Sequence, residues 1–164
     1  GSCAEYEISS DPINHDGVLK SCTMYDAAKI ATFQLLEQIF NSKNISFAWC
    51  RLFYLYGEGE DKRRLVPYIR SQLSLGEFAN LSSGYQVRDF INVTAAGSII
   101  ADVALSEQAG AVNVCSGEPK TLREHAVEIA KEYGREDLLN FGGRKDNPLE
   151  PSCVVGIPNY GDRE

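Results

Sequence analysis

A chain of 164 residues, 43% of them hydrophobic and 24% charged, has the balance of one ordinary globular domain or slightly more. At that length folding buries roughly 70% of the surface that the unfolded chain exposes, so neither disulfides nor a structural metal is needed to hold a core. Acidic residues outnumber basic ones by 23 to 16, and the net charge of −7 repels phosphate backbones and anionic lipid, which argues against nucleic-acid and membrane partners.

The first 23 residues are polar and turn-rich, with Ser9-Ser10-Asp11-Pro12 and Asp16-Gly17 as breakers. The chain opens Gly1-Ser2 rather than with Met, which reads either as a cleavage scar or as a start partway through a larger protein. Helical spacing runs from Met24 to about Asn41, carried by Ala27, Ala28, Ala31, Leu35 and Leu36, with Ile30, Phe33 and Phe40 adding apolar bulk. Ile45 to Tyr56 is predicted as one buried strand with Trp49 in the core, ended by a Gly57-Glu58-Gly59 turn. A helix follows over Lys62–Leu75, with Leu65, Ile69 and Leu73 as its apolar stripe and Gly76 as its stop. The pattern then gives a strand from Val87 to Val93, a helix from about Ala95 to Glu107 and a brief strand over Val112–Cys115. Thr121 and Glu124 form a T-x-x-E capping box for a helix that runs to Tyr133 and stops at Gly134. Beyond it, Gly142-Gly143 and Pro148, Pro151 and Pro158 predict loop and tail without a periodic element, and both ends read as cut. Apolar strands alternating with helices predict an α/β fold with parallel pairing.

The five cysteines (Cys3, Cys22, Cys50, Cys115, Cys153) are far apart and form no C-x-x-C pair. They are predicted to be reduced, mostly buried thiols of a cytoplasmic protein. His15 and His125 have no partners at ligand spacing, so no metal site is expected. No apolar run reaches the 18 or so residues of a membrane span.

Tyr25 and Lys29 stand four apart at the start of the first helix and so share a face. A free phenol ionises near pH 10, too high to exchange protons readily at neutrality, and an ammonium one turn away stabilises the phenolate. Taken alone, Y-x-x-x-K is common in helices and reads first as a solvated surface pair. Asp26, beside the tyrosine, is expected to oppose the lysine.

Around that pair stand Gly1-Ser2-Cys3-Ala4-Glu5-Tyr6, Arg51-Leu52-Phe53-Tyr54-Leu55-Tyr56-Gly57, Arg64-Leu65-Val66-Pro67, Arg88-Asp89-Phe90-Ile91-Asn92-Val93 and Val112-Asn113-Val114-Cys115-Ser116-Gly117-Glu118. In this order they resemble the extended short-chain dehydrogenase/reductase family, in particular its nucleotide-sugar epimerases, dehydratases and 4-ketoreductases. The resemblance covers roughly Gly1 to Val155 and corresponds to the second half of such an enzyme. It implies a partial Rossmann-like parallel sheet over residues 1–60, with the Tyr-Lys helix, and a mainly substrate-binding portion of a smaller α/β domain over 61–164. Within the latter, residues 86–116 return in part to the main sheet. It also implies that Tyr25 is the acid/base, that Ser2 bonds the reacting oxygen, and that Lys29 tunes the phenol. Tyr25, Lys29 and Phe53 are the implied contacts to NAD or NADP, and Tyr54, Arg64, Leu65 and Arg88 the implied contacts to a nucleotide-sugar substrate. Arg88 would pair with the diphosphate through its guanidinium fork; without the family context it reads as a surface arginine bound to a carboxylate, Asp89 or a nearby glutamate.

Departures from the family pattern shape the expectation. Cys3 and Ala4 replace the Asp-Glu pair of dehydratases, which disfavours dehydration, and Tyr54 stands where many relatives have Asn. The glycine-rich loop that lets backbone amides approach a dinucleotide pyrophosphate has no counterpart, so cofactor retention by this chain alone is in doubt. The resemblance thus implies the catalytic and substrate half of an NAD(P)-dependent epimerase or 4-ketoreductase. The alternative is a truncated, non-catalytic relative serving as a binding or oligomerisation module, with a homodimer expected through the Tyr25–Lys29 helix by way of Phe33, Leu36 and Phe40.

Overall fold

The computed structural model describes residues 1–161. Strands and helices alternate as the apolar runs require, and the fold is α/β with mainly parallel pairing. The first helix, α1 (Met24–Ser42), starts at Thr23, whose side chain accepts from the Asp26 amide while the Asp26 carboxylate accepts from the Thr23 amide. Helix α2 (Leu65–Leu75) is shorter than predicted because Arg64 is its N-cap; Gly76, at φ 70°, ends it in the left-handed region that glycine enters without a Cβ clash. Helix α3 (Val93–Ala104) begins earlier than predicted because the Asn92 side chain caps it by accepting from the Thr94 amide. In α4 (Leu122–Tyr133) the Thr121–Glu124 capping box forms as predicted and Gly134 ends the helix.

The run from Ile45 to Tyr56 is two strands, β1 (Ala48–Leu52) and β2 (Tyr54–Tyr56), in different sheets. The break is at Phe53, whose amide donates to the Val114 carbonyl. Two further strands are β3 (Ala79–Leu81) and β4 (Val87–Asn92), followed by β5 (Gly110–Val114) and β6 (Pro119–Thr121). The predicted tail also contributes strands, β7 (Leu139–Phe141) and β8 (Cys153–Val154). β1 pairs in parallel with β5, and β3 with β7. β4 is the hub of the third sheet: β2 lies parallel along its C-terminal half, β8 parallel and β6 antiparallel along its N-terminal half. The segment predicted as loop therefore closes the fold, held by long-range pairing that no local periodicity announces.

Three apolar clusters result. One joins the α2 stripe Val66, Ile69 and Leu73 to Ala126, Ile129 and Ala130 of α4. A second packs Cys3, Tyr6, Ile13, Phe53, Cys115 and Val154, and a third packs Ile91, Ala96, Val103, Val112 and Val114. Phe33 is buried within the chain, against Phe47 and Trp49 and beneath Arg51, while Phe40 stacks on Phe47 at 4.9 Å. Phe40 and Leu36 are half-buried, and Met24, Tyr25, Leu35 and Ile39 are the exposed large hydrophobic residues of α1. Trp49 is half-buried rather than core. Among the thiols, Cys3 and Cys115 are buried, Cys50 and Cys153 half-buried and Cys22 exposed, all unpaired.

A buried polar network fixes the N-terminal segment to the sheet. Arg51 Nε donates to Glu5 at 2.8 Å, and both side chains are withdrawn from solvent. The Glu5 carboxylate also accepts from the Ser2 amide at 2.7 Å and the Trp49 indole at 3.0 Å. Arg51 Nη1 donates to the Tyr6 hydroxyl, which donates to Asn113 Oδ1 at 2.6 Å on β5. This chain of charge-assisted bonds sets where Ser2 lies.

Candidate active site and substrate cavities

Ser2 is the N-cap of a 3-10 turn over Cys3–Glu5; its hydroxyl accepts from the Ala4 amide at 3.3 Å, and its backbone bridges in parallel to Leu52 at the end of β1. That turn packs against α1, whose second residue is Tyr25. The Tyr25 side chain is 55% exposed, and the Lys29 ammonium lies 5.6 Å from the centre of its ring. The helical spacing thus puts phenol and amine together on an open face. Asp26 points elsewhere: its carboxylate accepts from the Cys22 and Thr23 amides in the helix cap. It is buried there, so its expected opposition to Lys29 gives way to a structural task.

Phe53, an expected cofactor contact, is 5% exposed and packs within the cluster of Cys3, Tyr6 and Cys115. The continuous apolar run around it already favoured burial. Tyr54, the next residue, packs against the same cluster and lines a cavity of about 370 Å³. Burial pushes its phenol up to about 12, so it is a neutral donor at physiological pH. The same cavity is bounded by Cys3 and Ala4 after Ser2, by Cys22 and Thr23 before Tyr25, and by Leu149 and Pro151 from the tail.

Between those two tail residues, Glu150 faces a second cavity, of about 260 Å³, where Arg63, Arg144 and Lys145 converge with Leu65 and Asn80. The Arg144 guanidinium stacks on the Tyr68 ring at 4.4 Å. The segment 149–151 is therefore a thin wall between an apolar cavity and a basic one. Arg88 lies beneath the junction. It is fully buried, 5.2 Å from the Tyr54 ring centre, with Nη1 donating to its own Val87 carbonyl and Nη2 3.2 Å from Glu150. Its Nε has no hydrogen-bond partner. The surface pairing with Asp89 does not occur: the Asp89 carboxylate accepts from the Ser116, Gly117 and Gly156 amides. Arg64 sits apart from this junction, as the cap of α2, 3.2 Å from Glu60.

The sequence profile of the NAD dependent epimerase/dehydratase family matches residues 1–115. The chain belongs to that family. A dTDP-6-deoxy-L-talose 4-dehydrogenase (NAD(+)) of Aggregatibacter actinomycetemcomitans is 24% identical over 127 residues, which is 75% of this chain and 43% of the relative. Among solved structures, a UDP-N-acetylglucosamine 4-epimerase from Methanobrevibacter ruminantium, in complex with UDP-N-acetylmuramic acid, superposes with a TM-score of 0.86 at 21% identity. That match covers 96% of this chain and 52% of the epimerase. A UDP-glucose 4-epimerase of Thermus thermophilus, in complex with NAD, gives 0.81 at 20% identity, covering 96% and 53%. The chain spans about half the length of the epimerase/dehydratase relatives it matches.

Three basic residues of the second cavity belong to no motif in the sequence. Arg144 and Lys145 lie in an aperiodic stretch, and Arg63 precedes the expected helix motif by one residue. The available signal was an Arg-Lys pair within a glycine- and proline-rich segment of an otherwise acidic chain. In this epimerase/dehydratase member no helix among the described residues is long and apolar enough to cross a membrane.

Proposed function

We propose that this chain is the catalytic and substrate-binding half of an NAD(P)-dependent nucleotide-sugar epimerase or 4-ketoreductase, with residues 1–60 carrying the acid/base and residues 61–164 mainly the substrate contacts. The observation that carries the reading is the pair of adjoining cavities over Arg88, the apolar one lined by Thr23 and Asp26 from the start of the helix that bears Tyr25 and Lys29. A glycosyl nucleotide has this polarity: a neutral ring next to a dianionic diphosphate. The ring would lie against Tyr54 and Ala4, and the diphosphate against Arg63, Arg144 and Lys145, with Arg88 at the junction. A guanidinium with an unpaired Nε and a single exposed-side anion at Glu150 gains strongly from a phosphate oxygen.

Tyr25 would pass a proton to or from the sugar oxygen at its phenol oxygen. The Lys29 ammonium stabilises the phenolate that results, and the Ser2 hydroxyl orients the same oxygen. The fit to NAD(P) divides. The exposed Tyr25–Lys29 face suits the nicotinamide ribose, but Gly57-Glu58-Gly59 sets acidic side chains beside a turn and offers no cradle for a pyrophosphate. When bound, the nicotinamide supplies the hydride acceptor and donor.

The test is Tyr25→Phe in a protein that joins this chain to a glycine-rich nucleotide-binding half. Loss of a positioned acid/base should lower kcat by about 10²–10⁴-fold with little change in KM. Unchanged turnover would remove Tyr25 from the mechanism.

A further inference from the structure

The carboxylate that meets Arg88 comes from a stretch of chain fastened at its two ends. On one side Asp146 accepts from the Ser83 amide and hydroxyl, both at 2.9 Å. On the other the Ser152 carbonyl accepts from the Val87 amide at 2.8 Å, where β8 begins its pairing with β4. Among the described residues, the hydrogen bonds of the strap between them, Asn147–Pro151, are its own: the Glu150 amide donates to the Asn147 carbonyl and the Leu149 amide to Asn147 Oδ1. Pro148 and Pro151 have no amide proton to give, and Leu149 is 90% exposed. Resting on the nucleotide-sugar reading above, we propose that Glu150 is a built-in stand-in for the substrate's phosphate: with the site empty it latches the strap to Arg88, and an arriving phosphoanion takes its place and frees the strap.

The contact has the geometry of a placeholder. Glu150 Oε1 lies 3.2 Å from Arg88 Nη2, yet neither Nη2 nor Nε has a hydrogen-bond partner. Two donors of the fork stay unfilled while the cation is sealed from water, so a better acceptor gains what the carboxylate leaves unused. A phosphate group carries several oxygens on one centre and can meet both donors, which Glu150 does not. The Glu150 side chain is 39% exposed against 1% for Arg88. Returning it to water therefore costs little, whereas leaving Arg88 without any anion would strand a buried charge. Exchange of one anion for another avoids that penalty. The approach is also prepared, because Glu150 lines the cavity of Arg63, Arg144 and Lys145. Arg63 is held by Asp61 at 2.6 Å and Arg144 is stacked on Tyr68, and Glu150 takes the buried guanidinium instead of these.

Calorimetric titration of the 164-residue chain with inorganic pyrophosphate and with UDP tests this, in the parent, Glu150→Gln, Arg88→Met and the double variant. A latch closed about nine-tenths of the time lowers apparent affinity about tenfold, so Glu150→Gln should bind pyrophosphate about tenfold more tightly than the parent. In the Arg88→Met background the same change should alter affinity by less than about twofold, because no guanidinium is there to release. A carboxylate that merely repelled the anion would tighten binding in both backgrounds. Amide exchange followed by NMR is the second readout, independent of Arg88→Met. The Leu149 and Glu150 amides should exchange faster when pyrophosphate is added to the parent, and should already be fast without it in Glu150→Gln. Equal affinity in parent and Glu150→Gln, equal tightening in both backgrounds, or strap exchange that ignores the ligand would overturn the latch and leave the nucleotide-sugar reading standing. If pyrophosphate shows the latch pattern but UDP binds to no form, the latch stands and the nucleotide-sugar reading falls. If neither ligand binds to any form, both fall together.

Discussion

Removing the Glu5 carboxylate is the most direct challenge to the architecture that holds Ser2 in place. Glu5 and Arg51 are both sequestered, 2.8 Å apart and 46 residues apart in the chain. In Glu5→Ala the Arg51 guanidinium keeps the Tyr6 hydroxyl and the His15 carbonyl, at 2.9 and 3.2 Å, but loses its counter-ion. The Ser2 amide and the Trp49 indole lose their acceptor in the same step. An uncompensated buried charge costs about 3–5 kcal/mol. For a chain of this size each kcal/mol moves Tm by about 2–4 °C, so a fall of roughly 10 °C is expected. Urea unfolding followed by far-UV circular dichroism should show the midpoint drop at constant slope. Glu5→Gln, which keeps an acceptor without the charge, should lose less, and Glu5→Leu with Arg51→Met should recover most of the loss, because the paired change leaves no stranded charge. A Glu5→Ala midpoint within about 1 kcal/mol of the parent, a typical worth for one ordinary hydrogen bond, would refute the claim that this pair anchors the N-terminal segment.

Two further outcomes are expected. His125 stacks on Phe90 at 4.1 Å with neither ring nitrogen hydrogen-bonded, and burial, aided by Lys120 and opposed by Glu128, lowers its pKa from 6.5 to about 4. The folded state therefore resists a proton that the unfolded state accepts. Stability from this group is level above pH 6.5, falls as pH drops toward 4, and levels again below, a loss of about 3 kcal/mol in all; His125→Phe should flatten that part of the stability curve, and an unchanged slope would refute it. Gly156→Ala would put a Cβ 2.6 Å from Cys115 Sγ and 2.7 Å from the Phe53 ring, and overpacking of this kind should cost about 1–3 kcal/mol in denaturant titration.

Legibility in the sequence divides by the range of the interactions involved. Capping boxes and left-handed glycines act within a few residues, which is why the start and stop of α4 and the stop of α2 at Gly76 could be read directly. The Tyr25–Lys29 pairing is local for the same reason. The split at Phe53 is not local: the residues on either side are equally apolar, and what divides them is the choice between Val112–Val114 and Phe90–Asn92 as partners. β7 depends on β3 some 60 residues away, with Asn140 donating to Asn80 across the pair, so its three residues carry no period of their own. Asp26 misleads for a subtler reason. In sequence its charge adjoins the phenol, but the helix start has two unsatisfied amides that bind a carboxylate more closely.

On the proposed function, the burial of Arg88 is what would tie fold to substrate binding. A guanidinium withdrawn from water costs several kcal/mol unless its donors are met, and here Nε has no partner while Nη2 faces a single carboxylate on a half-exposed side chain. An apolar residue on β4 would pack beside Tyr54 at lower cost, so stability does not account for the charge. Under the proposed function the same feature would have a use at the wall between the two cavities. An under-paired donor fork in a low-dielectric site interacts more strongly with an arriving anion than an arginine already satisfied at the surface. Because Glu150 belongs to the 149–151 wall, a phosphate that replaced it at Arg88 would also shift Leu149 and Pro151, which line the apolar cavity. Recognition of the diphosphate and shaping of the sugar pocket would then be one event, transmitted through three residues.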